Sequence, residues 1–149
     1  MMFTVRSAVA SDAALLGKLA CELWPEHDET ELSAEMAQLL TAKGCFFALA
    51  YADGEAAGFA QCQLRQDYVE GCEHSPAGYL EGIYVRLAFR RKGAAAQLLA
   101  ACKAWAKAQG CAEFASDCEL ENSESAAFHA AMGFCGSEQK HPLCAEFVN

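Results

Sequence analysis

The chain predicts a mixed α/β or α+β domain built on a largely antiparallel sheet. Three observations carry that expectation. Short apolar runs, alternating or bounded by turn residues, recur along the sequence as strands do. The stretches 13–24 and 93–109 instead have the length and apolar spacing of helices. Asp53-Gly54 stands between two apolar runs as a favoured two-residue hairpin turn. The predicted order is β-αα-βββ-α-β-α-ββ. With 149 residues, 54 % hydrophobic and 21 % charged, the chain is expected to form one domain over 1–149 with a real core. Linkers, repeats and low-complexity segments are not seen in it.

Each element has a local reason. The segment FTVRSAV (3–9) alternates and forms a first strand. Ser11 and Asp12 can cap a helix from about Ala13 to Trp24. Pro25 ends it, because proline cannot continue the hydrogen-bond ladder. Thr30 or Ser33 opens a second helix, which Gly44 closes in a left-handed cap position. The hairpin about Asp53-Gly54 follows. Segment 67–78, containing Gly71, Pro76 and Gly78, is expected to be a loop, and YLEGIYV (79–85) a strand. Gly82 inside that strand marks a bulge or a close backbone approach. The helix from about Gly93 to Gln109 gathers Ala95, Leu98, Leu99, Cys102 and Trp105 or Ala106 on one face, and Gly110 ends it. CAEFASD (111–117) is a further strand. Asn122 or Ser123 caps a last helix through Met132, Gly133 ends it, and two short strands complete the chain.

Charge and cysteine content narrow the function. The net charge of −9 argues against nucleic acid as a partner. The distribution is uneven: between Gly82 and Ala112 lie six cations and no acid, so the rest carries five cations against twenty acids. A field that negative attracts a polycation. Nine cysteines are an odd number without a C-x-x-C pair, and the four histidines (27, 74, 129, 141) match no familiar zinc spacing. They are expected to be free thiols serving as small hydrophobes, with no metal. No apolar run is long enough to span a bilayer and the N-terminus lacks a secretory pattern, so the expected address is the cytoplasm, away from membranes.

The chemistry concentrates in Arg86 to Ala96, RLAFRRKGAAA, placed between a strand and a long amphipathic helix. Arg90-Arg91-Lys92-Gly93-Ala94-Ala95 fits the pattern [Q/R]-x-x-G-x-[G/A]. Unpaired N–H groups at a helix start and the helix dipole favour an anion there. Small residues let a ligand approach the backbone, and the flanking cations add charge-assisted bonds. A polyphosphate suits such a cradle; an exposed basic turn is the plainer alternative.

With this context, the segment resembles the pyrophosphate loop of the GCN5-related N-acetyltransferase superfamily. The resemblance implies that family's fold: a central, mostly antiparallel twisted sheet flanked by about four helices, with 79–85 as its bulged central strand. It implies acetyl-CoA as co-substrate, held by Arg90, Arg91, Lys92, Gly93, Ala94, Ala95 and Ala96, and by main-chain atoms of Ile83, Tyr84 and Val85. Asn122 followed by AAFHAAMGF (126–134) resembles the family's last conserved block, so Asn122 would contact the cofactor or simply cap a helix. The family's usual tyrosine, often the acid that protonates the departing thiolate, is His129 here. A histidine can do that work, and can equally be a packed helix residue.

A narrower resemblance, to chromosomal-type aminoglycoside 6′-N-acetyltransferases, rests on LWPEHD (23–28), YVEGCEHSPAGYLEGIYV (68–85), EFASDCELEN (113–122) and Glu138. It implies that Trp24, His27, Tyr68, Glu81, Asp117 and Glu138 border the antibiotic site. The residue types suit the ligand. A polyamino sugar needs carboxylates for its ammonium groups and aromatic walls for its sugar faces. Glu81, a glutamate in an otherwise apolar strand, needs a partner or a function. The substrate ammonium must lose a proton, and Glu81 or Asp117, directly or through water, can accept it. The expected activity is transfer of acetyl from acetyl-CoA to the 6′-amine of aminoglycosides, conferring resistance, by an enzyme that forms homodimers as its family often does. The alternatives are another acceptor (a polyamine, amino acid or protein amine) or a non-catalytic acyl-CoA-binding module.

Overall fold

A computed structural model describes residues 2–65, 76–116, 135–137 and 140–146. Contacts divide the chain into two units, Met1–Gln61 with Gly82–Cys102, and Cys62–Glu81 with Lys103–Asn149. Two strands and one helix contribute residues to both.

The first unit begins with β1 (Thr4–Ser7), α1 (Ala13–Leu23), α2 (Glu29–Leu40) and β2 (Cys45–Ala52). To these it adds most of β3 (Glu55–Arg65), the end of β4 (Ala77–Val85) and the start of α3 (Ala94–Ala108). Its strand order is β1-β2-β3-β4, with β1 antiparallel to β2. The core is built by Leu16, Leu19 and Ala20 of α1, Leu32 and Met36 of α2, Phe47 and Leu49 of β2, and Phe59 of β3, with Trp24 and Tyr84 packed against it. Burying such side chains is the main favourable term in folding, about 1.5–3 kcal/mol each. Asp53 and Gly54 both take positive φ (51° and 79°), the geometry that a two-residue hairpin demands.

Three local expectations change. Asp12 precedes α1 but does not cap it through its side chain. Its carboxylate turns back to accept from Val9 N (2.7 Å) and from both Arg6 Nη atoms (2.8 and 2.9 Å). The cap of α2 is Asp28, which accepts from Glu31 N (3.0 Å), rather than Thr30 or Ser33. Asp28 wins because its carboxylate meets the exposed amides of a first turn, where negative charge is favoured. Gly44 does take a left-handed φ of 78°, but α2 already ends at Leu40, so Gly44 shapes the entry to β2 instead.

The second unit holds the end of β3, the start of β4, the last turns of α3, then β5 (Glu113–Ser116), β6 (Cys135–Ser137) and β7 (Lys140–Glu146). Its strand order is β3-β4-β5-β7-β6. β4 and β5 are parallel, in register from Ala77↔Glu113 to Leu80↔Ser116. A parallel pair needs a crossover, and α3 supplies it. β5 with β7 and β6 with β7 are antiparallel, the latter with a register shift at Gly136/Ser137. β4 begins at Ala77, two residues earlier than expected, because Ala77 and Gly78 pair with β5. A Cβ on Gly78 would come within 2.7 Å of both Ala106 and Phe114, so α3 packs down on bare backbone there. The expected helix 122–132 lies outside the described residues. Among the described residues no helix is long and apolar enough to cross a membrane.

Candidate active site

The basic turn lies in the first unit, where β4 runs out into α3. Val85 is buried and Ile83 and Tyr84 are half-buried. The Arg86 amide donates to Ala57 O (2.8 Å), fastening the strand end to β3. A short 3-10 turn, Leu87–Phe89, follows. Phe89 is buried and meets Phe3 edge-on, with ring centroids 6.5 Å apart. The Arg90 side chain bends back to give Nε to Val85 O (2.8 Å). Arg91 and Gly93 take left-handed φ values of 62° and 94°, and Gly93 O accepts the first helical bond of α3, from Gln97 N (3.2 Å). The amides of Ala94, Ala95 and Ala96 thus fall in the turn that no helix can satisfy internally. Arg90, Arg91, Lys92 and Gly93 are exposed, while Ala94 is buried and anchors the helix start. Exposed cations, a left-handed glycine and three first-turn amides fit a pyrophosphate.

Arg86 is a different case. Its Nε and Nη2 donate to the two oxygens of Glu22 on α1 (3.1 and 3.0 Å), and Nη1 donates to Ala56 O (3.2 Å). Tyr84 Oη donates to the same Glu22 carboxylate (2.9 Å). The Arg86 guanidinium holds the Glu22 carboxyl below its ordinary range, with Tyr84 assisting. Burial, then the hydrogen bond to Glu22, raises the Tyr84 phenol. Of the four cations in the basic run, Arg86 is thus neutralised inside the protein.

Trp24 closes α1 and lies across β4. A Cβ on Gly82 would sit 2.8 Å from Trp24 Cη2 and 3.0 Å from Cζ2. What comes close to Gly82 is a side chain, the Trp24 indole, and not the backbone approach expected there. Trp24 also meets Phe59 edge-on at 6.4 Å and stays half-buried. His27 is exposed, with Nε2 3.6 Å from Glu26 Oε1.

In the second unit, Glu81 is half-buried and Oε2 accepts from Arg65 Nη2 at 2.9 Å. The Arg65 guanidinium lies 3.9 Å from the Tyr79 ring centroid. The lone glutamate of an apolar strand therefore has a partner, from β3. β5 ends at Ser116, opposite Leu80, so each of these two residues immediately precedes a candidate carboxylate in the chain, Asp117 and Glu81. Tyr68, Asp117, Asn122, His129 and Glu138 lie outside the described residues. Among the described residues no group of three or more metal-ligating side chains is found, and Cys21, Cys45, Cys62, Cys102 and Cys111 are not joined in disulfides.

Sequence reasoning missed Glu22 and Arg65. Glu22 stands 64 residues from Arg86, and nothing in local spacing links them. Arg65 carried a usable signal: a half-buried glutamate in an apolar strand calls for a cation on the strand beside it.

The chain matches the acetyltransferase (GNAT) family model over residues 14–134. It is 43 % identical over 138 residues to an aminoglycoside N(6′)-acetyltransferase type 1 of Stenotrophomonas maltophilia, covering 91 % of this chain and 88 % of the relative. It is 42 % identical over 132 residues to a protein of the same name from Acinetobacter haemolyticus, covering 87 % and 90 %. Among solved structures, AAC(6′)-Iy in complex with the bisubstrate analogue CoA-S-monomethyl-acetylneamine superposes with a TM-score of 0.87 at 36 % identity, covering 100 % of this chain and 98 % of that one. AAC(6′)-Ih from Acinetobacter baumannii gives a TM-score of 0.84 at 36 % identity, covering 99 % and 98 %. The basic turn between β4 and α3, the parallel β4–β5 pair and this end-to-end likeness establish that the chain belongs to the acetyltransferase (GNAT) family.

Proposed function

We propose that the protein is an aminoglycoside 6′-N-acetyltransferase, moving the acetyl group of acetyl-CoA onto the 6′-amine of these antibiotics and so conferring resistance. The observation that carries this is the 36 % identity and 0.87 TM-score, over the whole chain, to a structure holding CoA joined to an acetylated neamine. The net charge of −9 supports a polycationic acceptor. Acetyl-CoA supplies an activated thioester, and the exposed Arg90, Arg91 and Lys92, Gly93 and the first-turn amides of Ala94–Ala96 hold its pyrophosphate. Main-chain atoms of Ile83, Tyr84 and Val85 hold its pantetheine arm, with Asn122 as a further contact.

On the acceptor side, Trp24 and Tyr68 offer sugar faces a wall, while His27 and Glu138 extend the polar border. Glu81 and Asp117 are the carboxylates that hold the ammonium and take its proton, leaving the amine lone pair free to attack. An amide near Val85 stabilises the oxyanion as the N–C bond forms, and the C–S bond then breaks. His129 gives its proton to the departing sulfur, and the second proton of the acylated nitrogen passes to water. The whole sequence 1–149 serves as one catalytic domain, working as a homodimer in the cytoplasm. The five described cysteines, none joined in a disulfide, support a reducing compartment.

The test is thiol release from acetyl-CoA with kanamycin, a 6′-hydroxyl aminoglycoside and spermidine. Turnover with kanamycin alone is expected. Equal rates on spermidine and kanamycin would move the acceptor to polyamines, and CoA binding without thiol release from any amine would make this a binding module.

A further inference from the structure

The Glu22 carboxylate sits between two parts of the first unit that have different tasks. Glu22 lies on the last turn of α1, two residues before Trp24, whose indole rests on Gly82. The partners of Glu22 lie on the other side of the functional division: Tyr84, whose main chain belongs to the acetyl-CoA strand, and Arg86, the first residue of the basic turn. Arg86 extends the connection to β3 through Ala56 O and, by its amide, Ala57 O. All five bonds lie between 2.8 and 3.2 Å.

We infer that Glu22 is a positioning residue: its carboxylate clamps the Trp24 end of α1 to the end of β4, so that the acceptor wall and the acetyl-CoA strand keep one fixed relation. Three features make a chance surface contact a poor description. The pair is fork-like, with two guanidinium nitrogens on two carboxylate oxygens, the geometry that adds specificity to charge. The Arg86 side chain is mostly covered, at 23 % exposure, and holds Glu22 in place although Glu22 keeps 33 % of its side chain at the surface. A third donor, the Tyr84 hydroxyl, shares the carboxylate from a ring that itself packs on Phe59. Arg86 is therefore withdrawn from the anion loop and used to fix where that loop starts. An acetyl transfer needs donor and acceptor within a fraction of an ångström of their reactive geometry, so a tie of this kind acts on binding and alignment without touching either substrate.

The inference rests on the proposed acetyl transfer, and the test separates the two. Wild type, Glu22→Gln, Glu22→Ala and Tyr84→Phe are compared in steady-state assays with acetyl-CoA and kanamycin and in calorimetric titrations with CoA alone. All measurements are made well below each variant's melting temperature. Glu22→Ala is expected to raise the Kd for CoA and the KM for kanamycin together, each about fivefold or more, and to lower kcat/KM by more than either alone. Glu22→Gln keeps an oxygen acceptor without the charge, and Tyr84→Phe removes one donor only, so both should fall between Glu22→Ala and wild type. If Glu22→Ala does not fold, these two carry the test. Variants that melt earlier yet keep both constants within about twofold of wild type would overturn the clamp and leave Glu22 as a stabilising residue. Absence of kanamycin turnover in the wild type would overturn the acetyl-transfer assignment instead, and the CoA titrations would still decide the donor half of the clamp.

Discussion

Replacing Gly58 by alanine should damage the cofactor strand from behind. Gly58 lies in β3, where the backbone of β4 passes so closely that no side chain fits. An alanine Cβ would stand 3.0 Å from Val85 Cα and 3.2 Å from Tyr84 C, and well inside contact distance of Tyr84 O. Ordinary contact begins at 3.4 Å, and the obstructing atoms are main chain, so no rotamer change relieves the overlap. Relief requires β3 and the 84–85 peptide to part by roughly 1 Å. Overpacking of this kind costs about 1–3 kcal/mol, which for a domain of this size lowers Tm by roughly 2–12 °C. The larger effect should be functional. The displaced peptide is the one proposed to pair with acetyl-CoA, and a misplacement near 1 Å can cost about 10²-fold in rate. The assays are a thermal melt, calorimetry with CoA, and kcat/KM for thiol release. A Gly58→Ala protein with wild-type Tm, CoA affinity and kcat/KM would refute both the tight β3–β4 approach and the role assigned to the 84–85 peptide.

The Arg6–Asp12 pair should shape acid stability. Arg6 holds the Asp12 carboxyl below its ordinary 3.8, so the stabilisation is complete above that value and disappears as pH falls through the lower folded value. Asp12→Asn should therefore cost about 1 kcal/mol near pH 7, discounted for the half-exposed Arg6, and the gap to wild type in urea melts should close toward strongly acid pH. Asp117→Ala should depress turnover by about 10²-fold or more while Cys118→Ala, at the thiol that follows it in the chain, leaves it within about twofold; the reverse pattern in steady-state rates would remove Asp117 from the site. Arg91, held at a φ of 62°, should tolerate Arg91→Gly with a gain of about 1 kcal/mol in thermal stability. The same change should weaken CoA binding roughly threefold by calorimetry, as loss of an exposed charge does.

Much of the fold was legible because its signals are local. Asp53-Gly54 demanded a hairpin and takes the two positive φ values of one. Pro25 placed the end of α1 within a residue, since a ring that blocks the ladder acts wherever it stands. The face Leu98, Leu99, Cys102 and Ala106 is buried as its spacing required. Errors came where two local signals competed. Asp28, Thr30 and Ser33 are all residue types that can cap a helix, and the one that does is Asp28, whose carboxylate accepts from Glu31 N. Gly44 advertised a left-handed residue without saying which element it serves. Among the candidate site residues, Arg90 to Ala96 stand together as a contiguous motif. Glu22 and Arg65 do not, because their partners Arg86 and Glu81 are distant in sequence and meet only when strands and helices assemble.

Arg86 shows how far a composition argument reaches. Clustered cations at 86 and 90–92 point to an anion, and three of the four are exposed as that reading requires. Charge alone treats the four as equivalent, yet their surroundings separate them. Arg86 emerges from a half-buried strand end beside an acidic helix turn, where an unpaired guanidinium would be costly and a carboxylate within reach settles it. Arg90 is intermediate: its Nε is spent on Val85 O, which aims the rest of the guanidinium outward from a fixed root. Arg91 and Lys92 are open to solvent at the left-handed bend that precedes Gly93. The run thus grades from structural to solvent-facing over seven residues. A loop that must present charge to a mobile polyphosphate needs one end rigidly tied, and Glu22 supplies that tie at the end nearer the acetyl-CoA strand.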